Sequence, residues 1–131
     1  MSPLTHSDLR RFTGSLERFR HPLNRRVIYT PGVRFLAEQA ESYWLLDIIA
    51  SYLGSPEMTR AISADPRLGD LQFWRLDVHP EGGATVLCRA DSDEQPAIRQ
   101  DIAFTDFPLE YVDVWAGFDG EHWTLYLPSE H

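Results

Sequence analysis

The sequence contains no lysine. All 12 of its strong cations are arginine, a planar guanidinium suited to bidentate pairing with carboxylate or phosphate. There is one cysteine, Cys88, so no internal disulfide can form. Set in the apolar run Thr85-Val86-Leu87-Cys88, it reads as a small buried hydrophobe rather than a nucleophile. No apolar run approaches the ~20 residues that span a bilayer. The start, Met1-Ser2-Pro3-Leu4-Thr5-His6, has no basic stretch followed by an apolar one, which argues against a secretory signal. These absences make a reducing cytoplasm the expected compartment and leave no role for a membrane. No His-x-x-x-His or Cys-x-x-Cys spacing supports a zinc site. No Gly-x-Ser-x-Gly elbow and no phosphate-binding glycine loop occur, so no metal and no cofactor is expected. The loop Asp91-Ser92-Asp93-Glu94 resembles a calcium loop only in its acids. Pro96 and Ile102 stand where such a loop needs glycine and glutamate.

The charge present is unevenly spread. The chain carries −8 over 131 residues. Residues 1–34 hold seven arginines against Asp8 and Glu17, while the remainder holds five arginines against eighteen acids. The acidic total argues against direct nucleic-acid binding despite the basic segment. The length suits one domain over residues 1–131, with a helical part at 1–54 and a sheet part at 71–128.

Periodicity divides those parts. Thr5 or Ser7 can cap a short helix through Phe12, and Ser15 can begin another turn with Leu16, Phe19 and Leu23 on its apolar side. Val27-Ile28-Tyr29 is too short to classify. Thr30 is a good N-cap and Pro31 suits the first helical position. Apolar positions from Val33 through Tyr52 continue the pattern until Gly54, which predicts one central helix of about 20 residues. A shorter helix fits Glu57–Ile62. From Leu71 the period becomes two. Strands are predicted at Leu71–His79, Ala84–Ala90, Ile98–Phe104, Tyr111–Ala116 and His122–Leu127, with Asp119-Gly120 as a hairpin turn. The expected fold is α+β: a long central helix and short N-terminal helices on one face of a five-stranded antiparallel meander.

Four stretches carry a family likeness: Tyr29-Thr30-Pro31-Gly32-Val33; Tyr43-Trp44-Leu45-Leu46-Asp47 with Ile49-Ala50-Ser51; Phe104-Thr105-Asp106-Phe107-Pro108-Leu109; and Leu127-Pro128-Ser129-Glu130. Across nearly its whole length the chain resembles a bacterial family catalogued as domain of unknown function 6876. The resemblance implies a small stand-alone bacterial protein and assigns no reaction.

No residue stands out as catalytic. The weak candidates are Asp47, His79 and His122, with His21 as a further histidine. On one continuous helix Asp47 shares the face of Leu36, Ala40 and Tyr43, so it is expected to be buried and paired with an N-terminal arginine. A structural pin is the first reading and an acid or base in a cleft the second. Alternation on the solvent face collects Arg75, Arg99, Tyr111, Trp115 and Tyr126, residue types that concentrate at interface centres. The favoured function is therefore a protein-binding or regulatory module. A protein that blocks a nucleic-acid-binding partner, as mobile-element counter-defence proteins do, is one special case that the charge permits. The alternative is a small enzyme with Asp47 and a histidine as its acid/base site.

Overall fold

The computed structural model describes residues 3–91 and 93–131. Met1 and Ser2 of the start and Ser92 of the acidic loop lie outside the described residues. Helix α1 (His6–Arg10) opens on a capping box, with Thr5 Oγ1 accepting from Asp8 N and the Asp8 carboxylate accepting from Thr5 N. Strands β1 (Phe19–Arg20) and β2 (Val27–Tyr29) follow. The predicted helical turn at Ser15 is absent, and Leu16 and Leu23 are exposed. Pro22 denies this segment a helical hydrogen bond, and Phe19 instead pairs with Tyr29 across the β1–β2 ladder.

The predicted central helix is two helices. Helix α2 runs Pro31–Gln39 and α3 runs Tyr43–Tyr52. Glu41 between them has a φ of 50°. Its N–H donates to Glu38 O, and Ser42 N–H donates to Ala37 O at 2.8 Å. That paired bonding around a left-handed residue is a Schellman stop, which usually carries glycine. The side chains explain the break. α2 buries Val33, Leu36 and Ala37; α3 buries Leu45, Leu46, Ile49 and Ala50. At about 100° per residue these stripes would lie about 160° apart on one unbroken helix. The chain turns instead, and both stripes reach the same core.

Helix α4 (Pro56–Ala64) is capped by Ser55 Oγ, which accepts from Met58 N. A 3-10 turn over Pro66–Gly69 leads into the sheet. Strands β3 (Leu71–Val78), β4 (Ala84–Arg89), β5 (Ile98–Ile102) and β7 (Trp123–Tyr126) lie within the predicted segments, and β6 (Tyr111–Phe118) runs two residues past the predicted end at Ala116. Their order is not a meander. Among the described residues the sheet has seven strands in the order β1-β2-β7-β6-β3-β4-β5, and β2 pairs with β7 in parallel. β3 lies inside the sheet between β6 and β4, and on its inner face Gln72, Trp74 and Leu76 are sealed against the helices. The polar groups in that face are satisfied. Trp74 Nε1 donates to Gln72 Oε1, and Gln72 Nε2 donates to Leu68 O, both at 2.9 Å. Cys88 is fully buried on β4, and burial pushes its thiol up to about 12. The chain is thus α+β, with four α-helices among the described residues and no long central one.

The last segment closes the fold. A 3-10 turn over Pro128–Glu130 brings the Glu130 carboxylate to the N-terminus of α2. Its Oε1 accepts from Thr30 Oγ1 at 2.7 Å and from Leu127 N at 2.9 Å, and Oε2 accepts from Gly32 N at 3.3 Å. Among the described residues, no helix is long and apolar enough to cross a membrane.

The break at residue 41 makes a prediction. A left-handed non-glycine residue costs about 1–2 kcal/mol, whereas glycine loses roughly 0.5–1 kcal/mol more backbone entropy on folding. Glu41→Gly should therefore stabilise the protein by about 0.5–1 kcal/mol, raising Tm by a few degrees in a thermal melt. An unchanged or lowered Tm would contradict the role given to Glu41.

Candidate functional site

Two places gather the residues that the sequence singles out. The first is the cleft at Asp47. The break between α2 and α3 resets the helical phase, so Asp47 faces outward with its side chain 56% exposed, and its partner is not an arginine. Instead His21 Nε2 lies 2.9 Å from Asp47 Oδ1, with the imidazole 4% exposed. Both expectations for Asp47, burial and an arginine, are corrected by that geometry. The pair lines an open cleft of about 380 Å³ with Leu23, Asn24, Arg25 and Ser51.

Hydrogen bonding settles the histidine's role. His21 Nδ1 accepts from Leu23 N at 3.1 Å and Asn24 N at 3.0 Å. Backbone amides can only donate, so Nδ1 carries a lone pair and the ring proton sits on Nε2, aimed at Asp47. The ring has no free lone pair with which to take a substrate proton. Asn24 completes the joint, its Nδ2 donating to Ala50 O at 2.9 Å and Leu53 O at 3.1 Å at the end of α3. Ser51 Oγ donates to Ile48 O, so Ser51, Asp47 and His21 do not form a nucleophilic triad. The arrangement latches residues 21–24 onto α3.

Neither His79 nor His122 lines this cleft. His79 Nε2 lies 2.8 Å from Thr85 Oγ1, whose own proton goes to Asp101 Oδ1 at 3.2 Å. The His122 amide donates to Asp119 Oδ1 at 2.7 Å in the hairpin loop. That bond and the neighbouring one from Glu121 N hold the Asp119 carboxyl below its usual range. No group of three or more His, Cys, Asp or Glu among the described residues could hold a metal ion.

The second place is the outer face of the sheet. Pairing register puts Tyr126, Trp115, Phe73 and Arg89 in one row across four strands. The next row is Asp113, Arg75, Leu87 and Arg99, and the one after it Tyr111, Asp77, Thr85 and Asp101. Residues opposite one another share a face, so all five surface candidates lie on this side. A depression of about 420 Å³ opens among Phe73, Arg75, Asp77, Arg89, Asp113 and Trp115. Arg75 grips Asp113 in bidentate fashion, at 2.8 and 3.0 Å, and stacks 4.4 Å over the Tyr111 ring. The carboxylate raises the already high pKa of the guanidinium. Trp115 stands edge-on to Phe73, with centroids 4.9 Å apart, and touches Tyr126 and His131. Burial pushes the Tyr126 phenol up from its ordinary value. Arg99, on β5, pairs with Asp101 at 3.3 Å and stands apart from the depression.

The structure thus joins Arg75, Tyr111, Trp115 and Tyr126 into one surface and adds Phe73, Arg89 and His131. Phe73 could be found by alternation, two residues before Arg75. Arg89 and His131 could not: strand register sets Arg89 in the Trp115 row, and the Pro128–Glu130 turn carries His131 onto the Trp115 ring.

Comparison with known proteins adds one finding. A model of a family of unknown function, DUF6876, matches residues 3–131, essentially the whole chain. No curated protein matches, and no solved structure matches.

The latch yields a measurable contrast. Asp47→Ala leaves the buried His21 N–H without an acceptor, which should cost about 1–3 kcal/mol in denaturant unfolding. Asp47→Asn keeps a carbonyl there and should cost clearly less. Equal losses for the two variants would show that the hydrogen bond contributes nothing.

Proposed function

The chain belongs to this family of unknown function, and we propose that it is a binding protein whose outer sheet face takes a partner protein. The observation that carries this reading is the Trp115 row. A tryptophan flanked by Phe73 and Tyr126 borders a depression with arginines and carboxylates on its walls. Aromatic residues and arginine dominate the energetics of interface centres. Arg75 is already held by Asp113 and Tyr111, so little side-chain freedom remains to be lost when a partner docks. The net charge of −8 favours a partner with a basic surface through electrostatic steering. A nucleic-acid-binding protein whose basic surface becomes occluded is one partner of that kind.

A second reading, an acid/base enzyme, draws on the 2.9 Å contact of His21 with Asp47 in an open cleft. The saturated histidine ring weighs against it, since a general base needs an available lone pair.

The test is affinity capture of the tagged protein from its host with nuclease present, read by mass spectrometry. We expect one stoichiometric protein. Trp115→Ala, checked for folding by its melt, should weaken its capture by roughly 30-fold, the loss of about 2 kcal/mol typical of a hot spot. Asp47→Asn should leave it unchanged. Capture of nothing, or undiminished capture by Trp115→Ala, would overturn the proposal.

A further inference from the structure

Strand β5 is the outermost strand on one side of the sheet, and among the described residues only β4 pairs with it. Its other side presents backbone donors and acceptors to solvent, a ready template for another strand. Its five residues read Ile98-Arg99-Gln100-Asp101-Ile102. This order is chemically palindromic. Two copies placed antiparallel about Gln100 set Arg99 opposite Asp101 of the second copy, Ile98 opposite its Ile102, and Gln100 opposite its Gln100. Every pair in this register joins residues separated by an even number, so outward-facing backbone groups meet outward-facing groups. We propose that this edge is a self-association site, closing two copies into one continuous sheet.

The surroundings fit a second copy. Arg99 and Asp101 are well exposed, and their contact within the strand is a long 3.3 Å. Such an exposed pair holds its geometry weakly, so redirecting both charges across the new ladder costs little. The same two charges exclude the wrong arrangement, since parallel, in-register pairing would stack arginine on arginine. On the helix-facing side, Trp44, Ile102 and Phe104 line a groove of about 250 Å³. Phe104 is 74% exposed just past the strand's end. Ile98 of the second copy, itself buried in its own protomer, would stand beside Ile102, and Pro96 of the second copy would lie opposite the exposed Phe104. The two-fold axis runs perpendicular to the sheet, so both helical layers stay on one side and both outer faces stay open. The opposite sheet edge offers no equal, because β1 is two residues long. The interface is isologous and closed, which limits assembly to a dimer.

Sedimentation equilibrium of the full chain tests this between about 1 and 200 µM, a span that brackets the micromolar dissociation constant of a small interface. The wild type should dimerise. Arg99→Asp sets two carboxylate pairs against each other per dimer and should weaken association at least tenfold. Asp101→Arg should do the same with two arginine pairs. Mixed in equal amounts, the two variants should form a heterodimer, because each then offers what the other lacks. Arg99→Asp alone decides the matter if Asp101→Arg, which also removes an acceptor from Thr85, fails to fold. A wild type that stays monomeric at the highest concentration, an Arg99→Asp protein that dimerises like wild type, or two folded variants that ignore one another would overturn the proposal.

Discussion

The Glu130 carboxylate at the N-terminus of α2 is the joint on which the arrangement depends. A helix start leaves backbone N–H groups without partners and a partial positive charge. Here Thr30 caps Val33 N, and Glu130 takes Gly32 N together with the Thr30 hydroxyl. Charge-assisted bonds of this kind contribute roughly 1.5–3 kcal/mol each. The parallel pairing of β2 with β7 makes the meeting possible. Strands running side by side in one direction exit at the same end of the sheet, one into α2 and the other into the Pro128–Glu130 turn. Gly32 makes it fit, because a Cβ there would come within 2.6 Å of the carboxylate.

Ser129 extends the same joint, its hydroxyl donating to Leu9 O at the end of α1. A second joint, His21 with Asp47 and Asn24 with the end of α3, holds the segment before β2. Both joints belong to the helical layer and the first strands. They leave the outer face of the central strands uncovered, and there Trp115, Phe73 and Arg75 assemble the surface proposed for a partner. The division explains why the chain's best-placed histidine has no catalytic freedom: His21 supports the architecture, and its nitrogens are used in doing so.

Local chemistry was legible and long-range pairing was not. The caps at Thr5 and Thr30 follow from side-chain oxygens at helix starts, and alternation located β3 to β7. The stop at Glu41 was hidden because the left-handed position carries glutamate, while the apolar pattern runs on through it. That missed break misplaced Asp47, whose face depends on helical phase. β2 is only three residues long and acquires its meaning from β7, about a hundred residues away. The place of β3 between β6 and β4 and the choice of His21 for Asp47 likewise depend on topology. On the outer face, alternation named which residues share a side, and register decided which of them touch.

A double-mutant cycle between Gly32 and Glu130 tests the central joint most directly. Gly32→Ala should cost about 2–3 kcal/mol in denaturant unfolding, because its methyl displaces the carboxylate and loses the bonds made there. Glu130→Ala should cost a similar amount. With the carboxylate gone, adding Gly32→Ala should cost nothing further and could gain helix propensity, up to about 1 kcal/mol. A coupling of about 2 kcal/mol or more is the predicted result. Additive losses would contradict the account and leave Gly32 and Glu130 as independent contributors.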